Sequence, residues 1–387
     1  MKKKVLDSQF KWYLLYLSAY FGFIAGIVFG GMNQVSDVVI SDTNYVADTD
    51  MAEVLEKMRE DKGEEPLHEV YRDLPVIDVH SHSVDDVHRS ETRNMDHTNS
   101  GIDVWEKYGI DKTVLFGDVS EPSAVWTDRL SWRYYQVYPD LIYPSFAGVP
   151  LEKGEGGLER VKENLEQGYL AVGELYVAST HSPSANVLWK GKHPYWGELP
   201  EIYQLLASYH APVLLHIDPP EGVNINYLKA ALRKNLDTIF IFAHANVYNS
   251  PDNLEPLLAE FDNLYIDFFA GFTKYNSKSS HKLTDFVPLI EKYPDRFFLG
   301  SDSGVEIGID KAYQAMYEVI DRLTPQTAVR VAYQNYEQII ENQPPTETQK
   351  RTIKELVREL SLEGKTYRLN KRKANELIFS LQNQVKR

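Results

Sequence analysis

Cysteine is absent from all 387 residues. That excludes a disulfide framework, an iron–sulfur cluster, a thiolate zinc site and a cysteine nucleophile. Positive charge is scarce: 41 Lys and Arg stand against 56 Asp and Glu, a net charge of −15. So acidic a chain is a poor nucleic-acid binder, because phosphate affinity comes from clustered Lys and Arg. Internal repeats and low-complexity runs are also missing. What is present, 43% hydrophobic and 25% charged residues, is a globular profile whose length suits one (β/α)8 barrel with terminal extensions.

The charge is unevenly spread. The last 40 residues hold 11 basic and 4 acidic side chains, whereas residues 1–347 hold 30 and 52. Ile353, Leu356, Val357 and Leu360 at helical spacing, a break at Gly364, then Leu377, Ile378 and Leu381 predict a pair of amphipathic helices packing on the acidic body. At the other end, no charged residue occurs from Trp12 to Ser36, a stretch long enough to cross a bilayer. Lys2, Lys3, Lys4 and Lys11 precede it, and Asp37, Asp42, Asp48 and Asp50 follow. This asymmetry predicts a single-pass membrane anchor in residues 1–36, with the body on the extracytoplasmic side. A cleaved signal peptide and a secreted body is the alternative, although no clear cleavage site follows the apolar core. Residues 37–73 read as an acidic tether with one helix at Met51–Glu60 and a break at Gly63–Pro66.

From residue 75 onward, β-branched runs alternate with helical patterns. Strands are expected at Val76–Val79, Lys112–Phe116, Ile142–Ala147, Leu170–Val177, Pro212–Ile217, Thr238–Ala243, Asn263–Phe268 and Arg296–Gly300. Eight strands, each followed by a helix, predict an α/β fold, a closed (β/α)8 TIM barrel over residues 74–341 with a helical extension at 342–387. An open doubly wound sheet is the other arrangement, but no glycine-rich phosphate loop follows the first strand. In a barrel, chemistry sits at the C-terminal strand ends.

Those ends carry the chain's histidines. The first strand closes on His80-Ser81-His82, whose alternate residues share one face. The fourth carries Glu174, the fifth ends in His216, the sixth in His244, and the eighth runs into Asp302. A single histidine at a strand end is ordinarily a hydrogen-bonded rim residue. Four imidazoles and two carboxylates on five strand ends form a nitrogen and oxygen cage suited to Zn2+ or a similar divalent ion.

This order resembles the amidohydrolase superfamily of metal-dependent barrel enzymes. The opening Ile77-Asp78-Val79-His80-Ser81-His82 and the stretch Val331–Ile340 with Asn335 are similar to the group that includes aminocarboxymuconate-semialdehyde decarboxylase. The resemblance implies that His80, His82 and Asp302 bind one metal, joined by His216 in single-metal members. It leaves His244 to polarise the substrate or serve as acid and base. In two-metal members His216 and His244 hold the second ion, and Glu174 would stand as the bridge; its other role is to orient a ligand histidine.

Two reactions stay open for a small-molecule substrate. In hydrolysis of an ester, lactone or amide, Asp302 takes the proton of a metal-activated water and His244 stabilises the oxyanion. In decarboxylation, the same metal and a charged histidine stabilise a carbanion. A metal-stabilised binding protein without catalysis is a third possibility. Around the mouth, Asp118, Glu121, Asp218, Asn246 and Asp267 are substrate-contact candidates whose simpler role is structural. The aromatic insertion with His181, Trp189, His193, Tyr195 and Trp196 reads as a lid or a packed loop. His68, His88, His97, His210 and His281 read as surface or structural residues.

Overall fold

Apolar runs buried on both faces build the frame. The computed structural model describes residues 38–43, 45–47, 50–83, 91–178, 188–218, 223–362 and 364–386, without the side chains of 91–97, 99 and 223. Strand β1 (Val39–Asp42) stands apart from eight strands that close a parallel barrel. These are β2 (Ile77–His82), β3 (Lys112–Phe116), β4 (Ile142–Phe146), β5 (Ala171–Tyr176), β6 (Val213–His216), β7 (Phe240–Phe242), β8 (Leu264–Phe268) and β9 (Phe297–Leu299). Closure is made by Asp78 pairing with Leu299, which sets the first barrel strand beside the last. The expected strands all fall on these elements, with β2 running on through His82.

Every residue of β4, β5, β6, β7 and β9 is buried, as expected when helices cover a parallel sheet. A helix follows each barrel strand, from Glu91–Tyr108 after β2 to Ile309–Arg322 after β9. The latter turns Tyr313, Met316, Tyr317 and Ile320 inward on one stripe. Burying each such side chain contributes roughly 1.5–3 kcal/mol before chain entropy is charged against it.

The stretch read as a tether is partly docked. Leu55 of the helix Met51–Glu60 is fully buried in the barrel's core, and Arg59 Nη2 donates to the Ile320 carbonyl at 2.6 Å. The tail forms the two expected helices, Glu347–Glu359 and Lys371–Val385, but between them runs an unexpected strand, β10 (Thr366–Leu369). It pairs in parallel with β1, Val39 opposite Thr366 and Asp42 opposite Leu369. Val38, Ile353, Val357, Ala374, Ile378 and Leu381 form a small core of their own beneath this sheet. Gln343 Nε2 donates to the Leu170 carbonyl and Asn375 Nδ2 to the Gly168 carbonyl, which fixes the extension to the end of the barrel where β5 begins. That is the end opposite the strand C-termini.

The expected membrane anchor, residues 1–36, lies outside the described residues. Among the described residues no helix is long and apolar enough to cross a membrane.

Candidate metal centre

The six residues singled out at the strand ends converge. His80 and His82 project from β2, Glu174 from β5 and His216 from the end of β6. His244 follows β7, and Asp302 opens the short turn after β9. His244 and Asp302 both adopt left-handed backbone, with φ of 35° and 45°. Side chains other than glycine resist that conformation, so each needs outside support. His244 receives it from Asp267, whose Oδ2 accepts the His244 backbone N–H at 2.9 Å. Asp302 receives it through Ser301, whose N–H and hydroxyl both donate to buried Asp78, at 2.9 and 2.6 Å.

Four donor atoms surround one point. His80 Nε2 lies 3.3 Å from Asp302 Oδ1 and 3.6 Å from Glu174 Oε2. His82 Nε2 lies 3.7 and 3.8 Å from the same two oxygens. These separations are too long for good hydrogen bonds. They are close to the edge of a tetrahedron whose corners lie about 2.1 Å from a central ion, about 3.4 Å. His80 Nε2 is buried and has no hydrogen-bond partner, an orphan that a cation would satisfy. The other ring nitrogens are committed elsewhere: His80 Nδ1 donates to Asp267 Oδ2 at 2.8 Å and His82 Nδ1 to the Gly117 carbonyl at 2.9 Å. Both lone pairs at Nε2 are thereby turned into the cage. The donor set fits a divalent ion.

A second group shares Glu174. Its Oε1 lies 2.8 Å from His216 Nδ1 and 3.0 Å from His244 Nε2, and the two imidazole nitrogens are 3.0 Å apart. These are ordinary hydrogen-bond lengths, so this triangle closes through shared protons as readily as around an ion. His216 Nε2 donates to fully buried Asp218 at 2.9 Å. Glu174 thus turns one oxygen to each group. Both triads, His80–His82–Asp302 and Glu174–His216–His244, have donors within 4.8 Å of one another.

The electrostatics agree. Burial alone would lower the imidazole pKa values, yet Asp302 and Glu174 outweigh it at His80 and push that value well above the usual one. At His216, burial is likewise overcome by Glu174 and Asp218, which raise the ring to about 9. Burial works to raise Glu174, but the charges of His80 and His216 hold it well below the ordinary carboxylate range. A site that attracts protons this strongly attracts a divalent cation by the same field.

Several neighbours take the simpler, structural role. Asp267 and Asp218, candidates for substrate contact, hold His80 and His216 by hydrogen bonds. Asn246 is structural: its amide donates to the Phe269 carbonyl and accepts the Phe269 N–H. Asp118 and Glu121 share the Ser123 hydroxyl at the rim; burial and then Glu121 push Asp118 up to about 6, while His82 pulls it down. In the aromatic insertion, residues 181–187 lie outside the described residues. Gly191 bridges to Val177 beside β5, and the His193 ring stacks on Tyr227 at 3.7 Å. His68 packs against Tyr108, and His210 caps the helix Leu199–Tyr209. His88 and the His97 side chain fall outside the description.

Sequence reasoning missed Asp78, which ties β2 to the turn carrying Asp302. It also missed Asp128, whose carboxylate accepts the N–H groups of Gly117, Ala147 and Gly148 and so fixes the carbonyl that holds His82. A carboxylate within the apolar run Val76–Val79 was the available signal for Asp78, whereas Asp128, between Thr127 and Arg129, offered none.

The sequence matches no family model and no curated protein. Among solved structures the chain is similar to an uncharacterized TIM-barrel protein from Bordetella bronchiseptica, at 14% identity over 79% of this chain and 98% of that one, with a TM-score of 0.49. It is similar to a candidate amidohydrolase from Staphylococcus aureus, at 14% identity over 69% and 99%, with a TM-score of 0.49. It is also similar to a dihydroxybenzoic acid decarboxylase from Polaromonas with bound manganese and the inhibitor 2-nitroresorcinol, at 10% identity over 69% and 97%, with a TM-score of 0.47.

Proposed function

We propose that this chain is a metal-dependent enzyme of the amidohydrolase type that hydrolyses a small-molecule ester, lactone or amide. The four-donor cage with Asp302 at one corner supports this reading most directly. His80, His82, Asp302 and Glu174 would hold the ion, with His216 and His244 available to a second. Zn2+ and Mn2+ both suit imidazole and carboxylate donors. When bound, such an ion supplies Lewis acidity, polarising a carbonyl and easing the deprotonation of water near neutral pH.

The chain's own groups do the rest. Asp302 accepts the proton released from water and returns it to the leaving group. His244, backed by Asp267 through its main chain, stands at the edge of the cage, where its ring, once released from Glu174 and His216, stabilises the developing oxyanion. Asp218 keeps His216 in one orientation. One rim carboxylate supports hydrolysis over decarboxylation: Asp118 stands within electrostatic reach of His82. A substrate carboxylate would meet its charge unfavourably, whereas a neutral acyl group would not.

The test uses the purified full chain. Metal content is measured first, then esters, lactones and amides are screened for acid release and small carboxylic acids for carbon dioxide release. Acid release is expected, with loss of about 10³-fold or more in Asp302→Asn. Absence of a stoichiometric divalent ion would overturn the metal reading, and carbon dioxide release would replace hydrolysis with decarboxylation.

A further inference from the structure

Where the cage is built, β2 has outrun its neighbour. β2 and β9 pair at Asp78 and Leu299, and β9 ends there, whereas β2 continues to His82. Just beyond, the Ser83 N–H crosses to the Phe116 carbonyl on β3 at 2.7 Å. Successive N–H groups of a strand point to opposite sides, so that of His82 faces the side β9 has left. A side chain receives it: Ser303 Oγ accepts the His82 N–H at 2.9 Å. Ser303 is fixed in turn, because its own N–H donates to Ser301 Oγ at 3.2 Å and that hydroxyl donates to Asp78 at 2.6 Å. Asp302 and Ser303 stand side by side in left-handed backbone, with φ of 45° and 49°. Two such residues in a row persist only where the surroundings hold them. A chain of bonds thus runs from buried Asp78 through Ser301 to Ser303 and ends on the His82 main chain.

We propose that Ser303 is a positioning residue of the cage: its hydroxyl sets the His82 backbone against the turn that carries Asp302, so that both side chains meet one ion. Ser303 touches neither the ion nor the substrate. It stands next in the chain to Asp302, whose Oδ1 faces His80 Nε2 at 3.3 Å and His82 Nε2 at 3.7 Å. A further sheet bond could tie β2 to this segment only if β9 ran straight on. The serine lets the chain leave the strand at Gly300, turn Asp302 into the mouth and still hold β2. Without the hydroxyl the His82 N–H loses its acceptor, while the Gly117 carbonyl still holds Nδ1 of the ring. Removal should therefore loosen the cage rather than abolish it. The proposal rests on the reading of the cage as a divalent-ion site and is independent of which reaction follows.

The test uses the full chain carrying Ser303→Ala, which removes one oxygen and leaves the left-handed backbone as strained as before. Ser303→Gly removes the same oxygen without that strain and serves where the alanine variant folds poorly. Zn2+ affinity, read by competition with a chelating indicator, is expected to fall about tenfold. The visible spectrum of the Co2+-loaded chain, which reports ligand geometry, is expected to change. In the metal-free chain, fragments spanning His82 should exchange that amide with deuterium about fivefold faster. The metal-free melting temperature should move by about 2 °C or less. A serine that only stabilised the fold would lower the melting temperature and leave the Co2+ spectrum unchanged. Unchanged Zn2+ affinity and Co2+ spectrum overturn the proposal, and so does unchanged exchange at His82. A wild-type chain that binds no stoichiometric ion overturns the metal reading and the proposal with it, whereas normal wild-type binding confines a failure to Ser303.

Discussion

The carboxylate of Asp267 and the imidazole of His80 face each other at 2.8 Å, both wholly buried, and the same Asp267 oxygen also accepts the backbone N–H of His244. One oxygen thus orients a cage ligand on β2 and supports the left-handed residue after β7. The negative charge also makes the His80 ring a stronger donor. Two substitutions separate these contributions. Asp267→Asn keeps an acceptor of the same shape and loses the charge, so metal affinity is expected to fall about tenfold. Asp267→Ala loses orientation as well, and a fall nearer a hundredfold is expected. Competition with a chelating indicator measures both. Equal affinities for the two variants and the wild type would leave Asp267 a structural residue only.

Gly300 guards the same contact. A Cβ there would stand 2.0 Å from Asp267 Oδ1 and 2.9 Å from His80 Cβ, which no rotamer adjustment of a buried pair absorbs. Gly300→Ala is expected to push Asp267 off His80, weakening metal binding as Asp267→Ala does. Overpacking should also cost about 1–3 kcal/mol of stability. Denaturant unfolding with and without added metal separates the two effects. If binding is lost while unfolding is unchanged, the strain is confined to the site.

Glu174 is the junction between the two groups, so it decides the ion count. With Oε2 facing His80 and His82, and Oε1 facing His216 and His244, its charge serves both sides. Glu174→Gln should retain one ion at reduced affinity through His80, His82 and Asp302, and lose any second ion. Metal analysis at rising free Zn2+ or Mn2+ reads the stoichiometry directly. A variant that still binds two ions would show that Glu174 does not bridge.

The barrel and its mouth are legible in sequence because each depends on local pattern. Runs such as Val213–His216 are apolar on both faces and end in a polar residue, so strand, burial and site coincide. The second tier is harder to see. Asp78 acts on Ser301 at the end of the neighbouring strand and Asp267 on His80 two strands away, partners far apart in the chain that no spacing rule connects. β1 and β10 are harder still, because each is four residues long, half exposed and paired with the far end of the chain. Their pairing is non-local, and the strand pattern of Thr366–Leu369 is too short to stand out between two helices.

Lys371, which opens the last helix, offers a pH test of how the extension is held. It is fully buried, its Nζ has no hydrogen-bond partner, and it lies 5.5 Å from the Tyr209 ring. Burial pulls the amine down to about 7, with only the charge of Glu166 opposing. In the unfolded chain the same amine titrates near 10.4. Between those values the unfolded state holds a proton that the folded state has released, so stability rises with pH across that window. Below pH 7 both states are protonated and the penalty is at its full size, on the order of a few kcal/mol. Lys371→Met, which fills similar volume without charge, should therefore raise the melting temperature at pH 7. It should also flatten the increase seen in the wild type between pH 7 and 10. Other groups titrate in that range, so the quantity to read is the difference between the two proteins. A constant difference at every pH would show that Lys371 keeps its proton in the folded chain.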